Sequence, residues 1–326
     1  MSMSMMSMRG MITTTTITTT TITTMLSTFI TATTIMTSRV ITRMTTTTGL
    51  ATKLPSSAST SSNAGSTTTE SIAISPTASQ IYLLRIADTC LIHAQRLAEW
   101  SGHAPALEED IALTNLALDL VGQARALLTH VGAQTGFHED QLAFLRNERD
   151  FRNVTLVELP GRRAGRDFAD VVLRNFLLSA WTNVLWSRLE ASTDAEVAAI
   201  AGKAVKESRY HVAHAADWVV RLGDGTDESA KRARQAVDRL WPYVAELFEA
   251  DAVDADADAT GLGPARASLR AEWDAIVDPV FADAGLAAPA AGAFRSTGSR
   301  GVHSEHMGYL LAEMQTLQRS FPGGVW

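Results

Sequence analysis

From residue 77 onward apolar residues recur at three- and four-residue spacing, and no stretch alternates apolar and polar residues long enough for a convincing strand. That period commits the chain to the all-α class, because each helix must bury its apolar stripe against another helix. A first helix is predicted from Ala78 to Trp100, with the stripe Leu83, Ala87, Cys90, Ala94 and Leu97. A second spans Leu107 to Ala133; Glu108, Glu109 and Asp110 sit in its first turn, where the macrodipole favours them, and its stripe is Leu113, Leu116, Leu120, Ala124 and Leu127. After a short helix near Glu139 to Arg149 come a third long helix, Phe168 to Glu190, and a fourth that a Thr193/Glu196 capping box starts and "GDG" ends after Leu222. Four long helices in two sequential pairs make a bundle the simplest burial scheme. Further helices are predicted over Asp227–Asp251, Ala265–Gly285 and Ser304–Phe321, with "DADADATGLGP" as a loop.

Composition divides the chain near residue 70. Residues 1–69 are mostly Thr, Ser and Met, with no acidic residue and four cations, Arg9, Arg39, Arg43 and Lys53. Runs such as "MITTTTITTTTITT" cannot bury enough surface to offset ordering entropy, so this part reads as a disordered extension. Its hydroxyl-rich, cation-only character resembles a transit peptide, but so few cations favour a mis-set start or a dispensable tail. Residues 70–326 read as one domain with a single large core. The remaining 24 of the 28 cations there face all 35 acidic residues, a formal charge of about −11. Such a domain repels phosphate backbones, which argues against nucleic acid as a partner. The single cysteine, Cys90, excludes an internal disulfide and a Cys-based zinc cluster, and fits a reducing cytoplasm. No uninterrupted apolar run after residue 70 is long enough to span a bilayer, so the protein reads as soluble, with no membrane partner.

The chemistry-bearing candidates lie on the long helices. "KAVKESRYHVAHAADW" places Glu207, His211 and His214 on one side of the fourth helix. A carboxylate-bridged di-metal bundle needs a Glu from each of two helices and a Glu-x-x-His pair from each of two others. Here Ser208 stands three before His211, and Glu207, one position earlier, projects about 100° away. On the second helix the inward polar pair is Asp119 and Gln123, and a neutral amide is a poor metal ligand. Asp88, Gln95 and Glu99 lie on the first helix, and Asp170 and Glu190 only at the ends of the third. The favoured expectation is a hydrogen-bonded or ion-paired network of Asp119, Gln123, Glu207 and His211, with Arg125 or Arg209 as partners. An atypical metal site of Glu207, His211, Asp119 and Asp88 is the alternative. His303, Glu305, His306 and Tyr309 at the start of the last helix, with Met314 and Trp326 nearby, are read as a helix terminus or protein contact in preference to a surface zinc site. No Gly-rich phosphate loop, G-x-S-x-G motif or Cys-His pairing occurs.

Four long ordered segments carry a family resemblance: "DTCLIHAQRLAEWSGHAPALEEDIALTNLALDLVGQARALL", "AFLRNERDFRNVTLVE", "KESRYHVAHAADWVVRLGDGT" and "GVHSEHMGYLLAEMQTLQRSFPG". Over about residue 80 to Trp326 the chain resembles the C subunits of bacterial 1,2-phenylacetyl-CoA epoxidases, the multicomponent monooxygenases of phenylacetate catabolism. The resemblance implies a ferritin-like four-helix bundle with additional C-terminal helices, acting as a structural, non-catalytic chain. It implies a homologous A subunit that holds the di-iron site and the acyl-CoA, a small B subunit, and an NADPH-dependent reductase with flavin and iron-sulfur. It further implies that this chain holds no cofactor, with Ser208 in place of a lost Glu, His211 retained, Gln123 where a His would stand and Leu120 where its Glu would. A ferritin-like oxidase active on its own, or a scaffold for another complex, are the competing readings.

Overall fold

The computed structural model describes residues 71–161, 167–290, 292–322 and 324. Apart from residue 324, all of these fall in one compact unit, Thr67–Gly323. The extension expected over residues 1–69 lies outside the described residues. Within them the fold is all-α and ferritin-like, with no strand and one isolated bridge, between Thr297 and Val302.

The bundle consists of α1 (Ala78–Ala98), α2 (Leu107–Thr135), α4 (Phe168–Leu189) and α5 (Ala195–Gly223), with the short α3 (Glu139–Phe144) between its pairs. Helix α1 packs chiefly on α2, α4 chiefly on α5, and α2 also meets α5. Thr77 opens α1 through a reciprocal cap with Gln80, and Asp167 opens α4 by accepting the Ala169 amide. Three further helices follow, α6 (Asp227–Leu240), α7 (Ala252–Thr260) and α8 (Arg270–Asp283); α6 and α8 pack on α4 and α5, and α7 packs on α1. The last, α9 (Glu305–Ser320), starts at Ser304, whose hydroxyl accepts the His306 amide.

Several local expectations are corrected. Helix α5 is capped by Asp194, whose carboxylate takes the Glu196 and Val197 amides at 3.0 and 3.1 Å. Thr193 instead bonds the Gly261 and Thr260 carbonyls, so no Thr193/Glu196 capping box forms. The helix from Asp227 stops at Leu240 and continues as a 3-10 turn over Trp241–Phe248, because Pro242 removes an amide donor. "DADADAT" is helix α7 and not a loop, capped by Asp251. Its buried Asp254 is neutralised by Arg266 at 2.9 Å and Arg85 at 3.1 Å. The helix expected over Ala265–Gly285 divides into a 3-10 turn at Arg266–Leu269 and α8.

The helix expected to reach Arg149 ends at Phe144 for a similar reason. Arg146 turns inward and grips Asp88 of α1 with two nitrogens, one at 3.0 Å, both side chains being wholly buried. Asp88 also accepts the Arg152 amide at 2.8 Å. A buried charge is tolerated only with such partners, and removing one strands the other. The variant Asp88→Ala is therefore expected to lose about 3–5 kcal/mol of unfolding free energy, read from urea titration of the full chain.

Candidate functional site

At mid-bundle one side chain from each of the four long helices converges. Gln123 of α2 gives an amide hydrogen to Glu207 Oε2 of α5 at 3.0 Å. Its oxygen accepts the Trp186 indole N–H of α4 at 3.2 Å and the Cys90 thiol of α1 at 3.6 Å. Helical period places each group there, since Cys90, Gln123 and Trp186 lie on the buried sides of their helices. Glu207 is half-buried, and its other oxygen is 3.5 Å from the Lys203 ammonium one turn earlier. Burial, reinforced by the Glu207 and Asp88 charges, pushes the Cys90 thiol up to about 12. At neutral pH it is therefore a thiol, neither nucleophile nor metal-binding thiolate.

The flanking layers hold further polar groups, of which the His93 Nε2 and His214 Nδ1 atoms are buried without a hydrogen-bond partner. Ser208 gives its hydroxyl hydrogen to the Val205 carbonyl at 3.1 Å and accepts the Asn183 amide at 3.0 Å. His211 is enclosed except toward Asp119, whose Oδ2 lies 3.1 Å from Nε2. His214 meets Glu109 at 2.9 Å. His93 of α1 is buried, and burial, with the Arg174 and His211 charges, holds its pKa well below the usual 6.5, so it stays neutral.

In place of one network, two separate pairs form. Gln123 bonds Glu207, and His211 bonds Asp119; Arg125 is drawn to Glu139 at 3.2 Å, and among the described residues no bond joins Arg209 to the set. Asp119 is 39% exposed at its side chain, not buried. Asp88 is held by Arg146, so the set Glu207, His211, Asp119 and Asp88 does not converge on one point. Among the described residues no group of three or more His, Cys, Asp or Glu could hold a metal ion. The donors at this level do not fit a di-metal centre: one carboxylate, an amide, a protonated thiol and an indole meet where several anionic oxygens are required, and Leu120 adds none.

The His303 cluster divides. His303 is an internal residue: its imidazole is wholly enclosed, with Nδ1 2.7 Å from Glu158 Oε1 and Nε2 3.1 Å from the Phe151 carbonyl. His306 is half-buried, and Glu305 and Tyr309 are exposed. Glu158, which also accepts the Asn153 amide at 2.9 Å and the Ser304 N–H at 2.7 Å, does not stand out in the sequence, although its place in "TLVE" among apolar neighbours is a signal of burial. Cys90, Trp186 and Asn183 carry no signal beyond an inward position.

Both ring nitrogens of His303 face acceptors, which favours the imidazolium. Burial opposes that charge, but the hydrogen bond and charge of Glu158, with the Phe151 carbonyl, outweigh it and raise the pKa above 6.5. The stabilisation is fully present below pH 6.5 and is lost as pH rises through the raised folded value. The unfolding free energy of the wild type is therefore expected to decline above pH 6.5 relative to His303→Gln, in denaturant titrations across that range. At the bundle centre, Gln123→Leu strands Glu207 and the Trp186 N–H and should cost about 1–3 kcal/mol in urea unfolding, whereas Glu207→Gln keeps an acceptor and should cost less.

The fold and this layer define a class: a ferritin-like bundle whose centre is closed by hydrogen bonds between side chains. A family model described as "Phenylacetic acid catabolic protein" matches residues 63–326. The C subunit of 1,2-phenylacetyl-CoA epoxidase from Escherichia coli (strain K12) is 46% identical over 246 residues, covering 75% of this chain and 98% of that protein. The chain belongs to the phenylacetic acid catabolic protein family.

Proposed function

We propose that this chain is a non-catalytic subunit of a 1,2-phenylacetyl-CoA epoxidase, supporting a homologous subunit that carries the di-iron centre and binds the acyl-CoA. The observation that carries this reading is the Gln123 amide bonded directly to Glu207, with Trp186 and Cys90 on its oxygen. A metal-binding bundle would present inward carboxylates and imidazoles at that level. Leu120 is apolar, and Ser208 is occupied with its own helix and Asn183. Catalysis is then left to the partner, where O2 is activated with electrons from an NADPH-linked flavin and iron-sulfur reductase. A small B subunit would complete the assembly, and this chain would hold no cofactor. Glu305 and Tyr309, exposed on α9, are available for further contacts in the complex. The free, buried Cys90 suits a cytoplasmic location.

Purified alone, the chain should carry no stoichiometric iron by elemental analysis. Co-expressed with the ligand-complete subunit, it should co-purify with it, and the complex should contain iron only in proportion to that subunit. About two irons tightly bound per isolated chain would favour an oxidase acting on its own, and failure to associate would overturn the assignment.

A further inference from the structure

The last helix is attached differently from those of the bundle. Of the 16 residues of α9, Met307, Leu310, Leu311 and Gln315 are buried, whereas in α1 16 of 21 are. It packs on α3 and on two 3-10 turns, Glu148–Asp150 and Thr155–Glu158. Toward its end, Gln315 gives its amide hydrogens to the Ala143 and Arg146 carbonyls at 3.3 and 3.1 Å, and Arg319 donates to the Phe144 and Arg146 carbonyls at 3.2 and 3.0 Å. An element held by few apolar contacts and by polar bonds belongs to the low-stability end of a fold.

The strap that leads into α9, residues 296–304, has one apolar side chain, Val302, and it is 66% exposed. Burial of hydrocarbon therefore does not hold the strap down; polar bonds do. The Glu246 carboxylate accepts the Ser296 hydroxyl at 2.7 Å and the Ser299 N–H at 2.8 Å, and the Thr155 hydroxyl accepts the Gly298 N–H at 3.0 Å. Arg85 donates to the Ser299 carbonyl at 3.2 Å. Glu158 Oε2 accepts the Ser304 N–H at 2.7 Å, and Oε1 meets His303 Nδ1 at the same distance. The fit is so close that a Cβ on Gly298 would lie 2.8 Å from Glu158 Oε1.

Among these bonds, that of His303 alone uses a proton that titrates near neutral pH. Both ring nitrogens face acceptors, so a neutral ring would set a lone pair against either Glu158 or the Phe151 carbonyl. The surrounding charges leave this pair intact. Glu148 on the neighbouring turn favours the cation. Arg96 of α1 donates to the Glu158 carbonyl at 3.0 Å, and Arg146, over the Phe151 ring, is neutralised by Asp88. Arg152 borders Gly301, Arg300 lies 3.6 Å from Asp251, and Glu246 is occupied by neutral donors. On α9 itself Glu305 and His306 follow in the first turn.

We propose that residues 296–320, the strap and α9, form a flap that opens as one unit while the bundle stays folded, with the His303–Glu158 pair as its proton-operated latch. Opening takes His303 away from Glu158 and frees the carbonyls that Gln315 and Arg319 hold. The released ring titrates at its usual 6.5, below its value in the docked flap. The latch is therefore fully effective below pH 6.5; between 6.5 and the raised value one proton leaves on opening, and the opening constant rises about tenfold per pH unit.

The test is amide hydrogen exchange of the full chain, read by mass spectrometry from about pH 6 to about pH 9, with rates corrected for intrinsic exchange. Amides of α9 should be roughly 100-fold less protected than those of α1 and α4, and their protection should fall about tenfold per pH unit above 6.5. In His303→Gln, which has no such proton to release, the protection of α9 should be flat with pH. Protection of α9 equal to that of α1 and α4 would mean that it opens only when the whole chain unfolds, and would overturn the flap. Protection independent of pH in the wild type, or the same pH dependence in His303→Gln, would overturn the latch. Should His303→Gln fail to fold, the two wild-type readouts, protection relative to α1 and its pH slope, decide the matter by themselves.

Discussion

The Gln123 side chain has hydrogen-bond partners on the three other helices of the bundle: the Cys90 thiol, the Trp186 indole and the Glu207 carboxylate. A bundle that buries polar groups at its centre must satisfy them there, and the means of doing so sets what the centre can do. A bound cation would require anionic oxygens from several helices. The amide here meets one acceptor and two donors, and its bonds are directional and short-ranged. With it in place, Leu120 can be apolar, Ser208 can turn back to Val205, and Cys90 can remain protonated. Each of these would be costly beside a metal ion and is cheap beside an amide.

Around this core the additional segments are attached by buried charge. Arg146 holds Asp88, Arg85 and Arg266 hold Asp254, and His303 holds Glu158. Glu246 is satisfied without a cation, by the Thr155 and Ser299 amides at 2.9 and 2.8 Å and the Ser296 hydroxyl at 2.7 Å. These contacts tie the stretch after α3 and the stretch before α9 together and to α1, on which the 3-10 turn Thr155–Glu158 also packs. The Arg85–Asp254 pair ties α7 to α1, while α6 and α8 pack on α4 and α5.

Much of this was legible in the chain. The apolar stripe of α2 from Leu113 to Leu127 is the buried stripe, and the inward run of α1 contains Cys90 as its period requires. The displacement of Glu207 from position 208 and the neutrality of Gln123 were visible as spacing and residue type alone. The misreadings have specific causes. Asp194 and Thr193 are both good caps, and the choice fell to Asp194 because Thr193 is claimed by the turn at Gly261, 68 positions on in the chain. "DADADAT" is too polar to suggest a helix until Arg85 and Arg266 neutralise Asp254. His303 looked like a surface residue because Glu158, its partner, lies 145 residues away.

Helix class, helix faces and the absence of a full set of inward ligands follow from regularities within a few residues of one another, since a helical turn repeats every 3.6 positions. The identity of each polar partner does not, because it depends on which segments burial brings together. Gln123 and Glu207 are 84 positions apart. Either could have faced water, another charge or a metal ion, and the packing of α2 against α5 makes each the other's hydrogen-bond partner.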